Sequence, residues 1–229
     1  MSDPTAHLVT IDVDASQRVS GAWLSPQHAI ACYVFAHGAG AGMHHASMAT
    51  LADDLAAGGI ASLRYQFPYM ERGSKRTDPP AVCHATVRAA VAKARELAPT
   101  LPLCAGGRSF GGRMTSQTQA LSALPEVRGL AFFGFPLHPA KRPSIERAQH
   151  LSDVHVPMLF VQGTRDALAE LALLQPLVER LGAKASLHLL ADADHSFHVP
   201  ARTGRKDADV RREAVAAMAA WIERVVGSS

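Results

Sequence analysis

Leu101-Pro-Leu-Cys-Ala-Gly-Gly-Arg-Ser109-Phe-Gly-Gly-Arg-Met114 is the stretch from which the rest of the chain can be read. Leu101 to Ala105 is a short apolar run that suits a buried strand, and Gly111 to Leu124 reads as a helix. Between them lies Gly107-Arg-Ser109-Phe-Gly111, a G-x-S-x-G, with further glycines at 106 and 112. An abrupt strand-to-helix turn strains the backbone at its centre, and small neighbours let the flanking segments approach without Cβ clashes. Such a turn lifts the Ser109 hydroxyl above the carboxyl edge of a sheet, where orphan amides and the positive end of the helix face any anion that forms. The letters alone also describe an ordinary glycine turn; the strand before and helix after favour an exposed nucleophile.

The same strand, loop, helix unit recurs on both sides of this segment. Upstream, His7 to Val13 and Val19 to Leu24 alternate apolar and polar residues around a short polar connection, which predicts a hairpin. Ala29 to Ala36 is almost wholly apolar and leads through a glycine-rich loop to the helix Met48 to Ala57. Ile60 to Tyr65 is followed by a long polar loop and the helix Ala81 to Leu97. Downstream come the strand Leu130 to Phe135, a proline-bearing loop, the strand Pro157 to Val161 and the helix Leu168 to Leu181. Ala185 to Leu190 and a helix over Asp209 to Val226 complete the series. Short apolar strands alternating with helices predict an α/β fold: a mostly parallel, eight-stranded sheet covered on both faces and opened by an antiparallel hairpin. With no linker, repeat or low-complexity tract, residues 1–229 read as one domain with a frayed tail at Gly227 to Ser229.

Composition narrows the function classes. The 229 residues are 48% hydrophobic, 19% charged and 6% aromatic, enough for a sizeable core. A net charge of +3 without a run of like charges is a poor footprint for nucleic acid. No apolar run approaches the roughly 18 residues of a membrane span, and Met1 to His7 lacks a basic and apolar leader, so no membrane partner is expected. Cys32, Cys83 and Cys104 fall in neither a CxxC nor a zinc-ligand spacing, which points to a reducing, cytoplasmic setting.

A serine hydroxyl is a weak nucleophile near neutral pH and needs a base, which in turn needs an orienting carboxylate. In a sheet of this type both follow the nucleophile, acid first, on loops at the carboxyl ends of later strands. Asp166, in the loop Gln162-Gly-Thr-Arg-Asp166 after Pro157 to Val161, fits the acid; its competing reading is an N-cap of the next helix. His195 fits the base, since it follows the last strand and precedes the last helix. His188 reads as a sheet residue, while Asp192, Asp194, His195 and His198 together could also be a metal cluster or a solvated loop. The loop His37-Gly-Ala-Gly-Ala-Gly-Met43 can aim amides at an oxygen that becomes negative. One oxyanion donor is assigned to Phe110 N–H and the other to Ala39, with Gly40 second. No Lys-Ser/Thr pair follows these glycines and no G-x-G-x-x-G is present, which excludes the nucleotide P-loop and the dinucleotide fingerprint. Neither a cofactor nor a catalytic metal is expected.

Five segments in this order resemble the α/β-hydrolase superfamily: Ala36-His-Gly-Ala-Gly-Ala-Gly-Met43, Arg64-Tyr-Gln-Phe-Pro-Tyr-Met70, Gly107-Arg-Ser-Phe-Gly-Gly-Arg-Met114, Phe160-Val-Gln-Gly-Thr-Arg-Asp166 and Asp194-His-Ser-Phe197. The resemblance spans about Cys32 to Trp221 and is to the small, dienelactone-hydrolase-like members. More narrowly it is to the branch of testis-expressed hydrolase-like proteins and a hydrolase-like subunit of a histone acetyltransferase complex. It implies a three-layer α/β-hydrolase fold and a serine hydrolase acting through an acyl-enzyme, with Ser109, His195 and Asp166 as its triad. Dienelactone hydrolases proper carry a cysteine nucleophile, so their lactone substrate does not transfer to Ser109. Epoxide hydrolases and haloalkane dehalogenases carry an aspartate there, which disfavours their reactions.

Substrate clues are fewer. Phe135 to Pro157 is short and proline-rich for a helical lid, so the cleft should be open and suited to a small or solvent-accessible ester or thioester. Tyr69 and Met70 are candidate apolar contacts. Arg113 is a candidate for clamping a carboxylated substrate, although it, Arg64 and Arg165 read more readily as ties between loops. A non-catalytic interaction module and a short-peptide peptidase stand as alternatives.

Overall fold

The computed structural model describes residues 5–227. The expected hairpin is His7–Asp12 (β1) paired antiparallel with Arg18–Leu24 (β2). Its turn is closed by Asp14, whose side chain accepts from the Ser16 and Gln17 amides at 2.7 and 2.9 Å. There follow Ala31–Ala36 (β3), Ala46–Ala57 (α1), Ile60–Tyr65 (β4), the short helix Pro68–Glu71 (α2) and Pro80–Leu97 (α3). Leu103–Arg108 (β5), Phe110–Leu121 (α4), Val127–Phe133 (β6), Met158–Gly163 (β7), Leu171–Leu181 (α5), Ala185–Leu190 (β8) and Asp207–Gly227 (α6) complete the chain. Gly227 closes α6; the rest of the expected tail, and the leader-region residues Met1 to Pro4, lie outside the described residues.

All eight strands join one open sheet in the order β1-β2-β4-β3-β5-β6-β7-β8. β2 meets β4 antiparallel, and every pairing from β4 to β8 is parallel. This is the mostly parallel, hairpin-opened sheet of eight strands expected from the residues, and it agrees with the α/β-hydrolase fold that the resemblance implied. Period-two alternation sorts the strand side chains to two cores. Cys32, Val34 and Ala36 of β3 pack with α3, α4 and α5, while Ala31, Tyr33 and Phe35 pack with α1 and α6. That division explains why β3 reads as an unbroken apolar run: both of its faces are covered.

The chain turns left from β3 to β4 and then right to β5, so the loops leaving β3 and β5 diverge and open a crevice at the carboxyl edge. Four local differences from expectation bear on that edge. β5 starts at Leu103 and runs through Gly106 and Gly107 to Arg108, which pair with β3 and β6, so the turn itself is confined to Ser109. The segment after β4 is not merely a polar loop, because Phe67 and Tyr69 are fully buried around α2. Between β6 and β7 a 3-10 helix, Glu146–Asp153, packs against α4, and no larger lid is present. α5 begins at Leu171 with Glu170 as its cap, so Asp166 does not cap it.

Candidate active site

Ser109 occupies the turn with φ 49° and ψ −115°, a conformation that costs a non-glycine residue about 1–3 kcal/mol. Its backbone is held there from both sides. The Ser109 N–H donates to Phe133 O at 3.0 Å, and α4 starts at the next residue. Close approach of β3 explains the flanking glycines: a Cβ on Gly107 would lie 2.5 Å from Ala36 O, and one on Gly111 2.5 Å from His37 O.

The loops after β7 and β8 bring the predicted acid and base to this serine. His195 Nε2 lies 2.9 Å from Ser109 Oγ, and His195 Nδ1 lies 2.7 Å from Asp166 Oδ2. A carboxylate accepts only, so the Nδ1–H points to Asp166 and Nε2 is left to accept the serine proton. The Asp166 side chain is fully buried and His195 remains 24% exposed, so the imidazole can meet a solute while its carboxylate cannot. Asp166 also accepts from Leu168 N–H at 2.8 Å and from Gln162 Nε2, which offsets the cost of burying the charge.

The glycine loop after β3 runs beside the nucleophile: a Cβ on Gly38 would come 3.8 Å from Ser109 Cβ. Gly38 O accepts from Ala41 N–H at 3.4 Å, and Ala39 and Gly40 lie exposed in that turn. Among the described residues, the amides of Ala39, Gly40 and Phe110 make no backbone hydrogen bond. The Gly40 amide faces the Tyr69 hydroxyl, which leaves the Ala39 and Phe110 amides without a partner among the described residues, the latter at the positive end of α4.

Residues 29–223 match the family model described as alpha/beta hydrolase domain. The chain belongs to that family. Solved structures carry the same fold. A dienelactone hydrolase from Anabaena variabilis ATCC 29413 is 20% identical with a TM-score of 0.74, covering 93% of this chain and 96% of that one. An alpha-beta serine hydrolase homologue from Coxiella burnetii is 18% identical with a TM-score of 0.75, at 93% and 97% coverage. A member of the serine hydrolases without lid from Xanthomonas campestris is 22% identical with a TM-score of 0.71, covering 95% of each chain.

Several supports of the site in this alpha/beta hydrolase were not singled out in the sequence. Gln162, fully buried at the end of β7, donates to Asp166 and accepts from Phe135 N–H at 2.9 Å, tying the acid loop to the chain leaving β6. A lone amide at the end of an otherwise apolar strand was the available signal. Gly134, at φ +67°, lies close against the base, since a Cβ there would lie 3.4 Å from His195 Cε1. Arg108 donates to His195 O at 3.4 Å, and its guanidinium lies 5.3 Å from the Phe197 ring centre. His37 is fully buried; its Nε2 accepts from Phe67 N–H at 3.0 Å and its Nδ1–H donates to Gly38 O at 2.8 Å. Burial pushes His37 down to about 4, partly opposed by the Gly38 bond, so it is a neutral tie at neutral pH.

The remaining candidates divide. Met70 is half-buried, and a Cβ on Gly42 would lie 3.1 Å from its Cε. Tyr69 is completely buried against His37, Phe67 and Phe110, which corrects its expected role as a substrate contact: it is packing beneath the site. Arg64 ties loops, donating to Met43 O at 3.2 Å, and Arg165 is exposed. Arg113 is half-buried with its Cζ 5.7 Å from the Phe110 ring centre. The four residues weighed as a metal cluster separate, with His198 paired to Asp207 at 2.9 Å and Asp194 capping the Ser196 and His198 amides. Cys32, Cys83 and Cys104 are buried free thiols, each raised to about 12 by burial. Among the described residues no helix is long and apolar enough to cross a membrane.

Proposed function

We propose that the protein is a serine hydrolase that cleaves a small or solvent-accessible carboxylic ester or thioester. The observation that carries this reading is the continuous Asp166–His195–Ser109 relay, with links of 2.7 and 2.9 Å. Ser109 Oγ attacks the carbonyl carbon while its proton passes to His195 Nε2. Negative charge on the carbonyl oxygen meets the N–H groups of Phe110 and Ala39, with Gly40 as the alternative to Ala39. Collapse of the tetrahedral species breaks the bond to the leaving oxygen or sulfur, which takes the proton from Nε2 and departs as alcohol or thiol. Water then attacks the acyl-serine, gives its proton to Nε2, and the carboxylic acid leaves as Ser109 recovers its proton. Asp166 stabilises the imidazolium in both halves without accepting a proton.

Absence of a large insertion between β6 and β7 supports an open cleft, and the similar Xanthomonas campestris structure is itself described as lidless. On its five motifs our reading assigns the chain to the testis-expressed hydrolase-like branch. The three buried thiols support a reducing, cytoplasmic setting.

Incubation with a fluorophosphonate probe followed by peptide mapping tests the reading. Labelling is expected on Ser109 and is expected to vanish in Ser109→Ala. Native protein that takes no label, or a Ser109→Ala variant that still does, refutes it. Inertness toward an ester and thioester panel, with a stoichiometric protein captured instead, would turn the conclusion to a non-catalytic interaction module.

A further inference from the structure

One turn along α4 from the nucleophile stands an arginine with no carboxylate partner among the described residues. Helical side chains lie back over the preceding turn, so Arg113 covers the turn that holds Ser109 and Phe110. Its Cζ stands 5.7 Å from the Phe110 ring centre, and its Nε is buried without a hydrogen-bond partner. If Arg113 tied loops together, its fork would reach carbonyls or carboxylates, as that of Arg64 reaches Met43 O. It reaches none among the described residues.

The surroundings deepen the positive field. The Glu146–Asp153 3-10 helix packs against α4 and brings Arg147, half-buried and also without a carboxylate, close enough to repel Arg113. Burial first, and then Arg147, lower the proton affinity of the Arg113 guanidinium. Two histidines feel the same field. His150, 2.7 Å from Ser116 Oγ, is pushed down to about 4 by burial and by Arg113, against the pull of Asp153. His84, on α3, is lowered by burial and by Arg88 and Arg113, against its bond to Gln117. Asp78, which like Arg113 lies close to Cys83, is engaged by the Tyr69 amide and by Arg72. Two like charges converge here at a cost that an incoming anion would reverse.

We propose that Arg113, backed by Arg147, is an anion subsite for the Ser109 ester, so that favoured substrates carry a carboxylate or phosphate on the part of the molecule lying over Phe110 and α4. The proposal rests on the hydrolase reading for its substrate, and the anionic ester is its chemical class. A planar guanidinium fork suits either oxyacid.

The test compares mono-p-nitrophenyl adipate with p-nitrophenyl hexanoate, which share an acyl length and differ in a terminal carboxylate. The native kcat/KM ratio should favour adipate by at least about tenfold, narrowing as salt screens the charge. Arg113→Gln should reduce that ratio about tenfold to a hundredfold, mainly through KM, with Arg113→Lys between the two. Arg147→Gln, a more peripheral change that keeps the test open if Arg113→Gln fails to fold, should reduce it several-fold. Calorimetric binding of monomethyl adipate to Ser109→Ala reads the subsite without catalysis, and the added Arg113→Gln should abolish it. If Ser109 takes no fluorophosphonate label yet this binding persists, the hydrolase reading falls and the subsite stands. A native ratio near one, a ratio unmoved by Arg113→Gln, or no binding to Ser109→Ala overturns the subsite.

Discussion

Asp166, His195 and Gly134 set the geometry of the relay at Ser109. The buried Asp166 carboxylate dictates which imidazole nitrogen carries the proton. Asp166→Asn replaces one acceptor oxygen with a donor, favours the wrong tautomer and should reduce kcat toward a simple p-nitrophenyl ester by about 10³–10⁴-fold. Steady-state kinetics beside an unchanged circular dichroism spectrum would check it; activity within tenfold of native would mean that Asp166 does not orient His195. Gly134→Ala tests position rather than proton. At φ +67° an alanine costs about 1–2 kcal/mol, and its Cβ would press on His195 Cε1. A kcat loss of about tenfold or more, exceeding what the lowered melting temperature explains, is the expected result.

At the scale of elements, the loops after β3 and β4 are held as one unit. His37 links Gly38 to Phe67, and Gln66 Oε1 accepts from Met43 N–H at 2.8 Å. The His37 tie is pH-sensitive. Its pKa falls from 6.5 to about 4 on folding, so between those values the unfolded chain binds a proton that the folded one refuses. Stability is therefore complete above about pH 6.5 and is lost as pH falls toward 4, by about 2 kcal/mol at pH 5 from this residue. Urea titrations at pH 7 and pH 5 should show the drop. His37→Gln should begin less stable at pH 7 but lose about 2 kcal/mol less on acidification; an equal loss in both proteins would remove His37 from the account. His150, also lowered to about 4, contributes a further loss that the variant retains.

Across the whole molecule, the sheet and its two cores place the site. Ser109, Asp166 and His195 follow the carboxyl ends of β5, β7 and β8, and the glycine loop follows β3 across the point where strand order reverses. Their convergence depends on the sheet keeping its shape, which α6 helps to secure from the face opposite α4. Trp221 is 3% exposed, and a Cβ on Gly129 of β6 would come within 2.6 Å of its ring. Trp221→Ala should destabilise the protein by about 3–5 kcal/mol through the cavity it leaves. Denaturant unfolding measures that loss, and a change below about 1 kcal/mol would show that α6 packs loosely there.

Fold type, strand count and the three candidate residues that the structure brings together were legible in the chain because they depend on local chemistry. Apolar runs, glycines around Ser109, and the succession of strand, loop and helix act over a few residues, and chain order then pointed to Asp166 and His195. The ends of elements were less legible, as with β5, whose glycines proved to be paired strand residues followed by Arg108 rather than a turn. Contacts between distant segments were not legible at all. Gln162 against Phe135, His37 against Phe67, and Gly134 against His195 join residues 27, 30 and 61 positions apart, and no local pattern encodes such a meeting. Burial was misjudged for the same reason: Tyr69 opens onto a polar stretch that begins at Glu71, and the rings of His37, Phe67 and Phe110 close over it only once the sheet has brought their loops together.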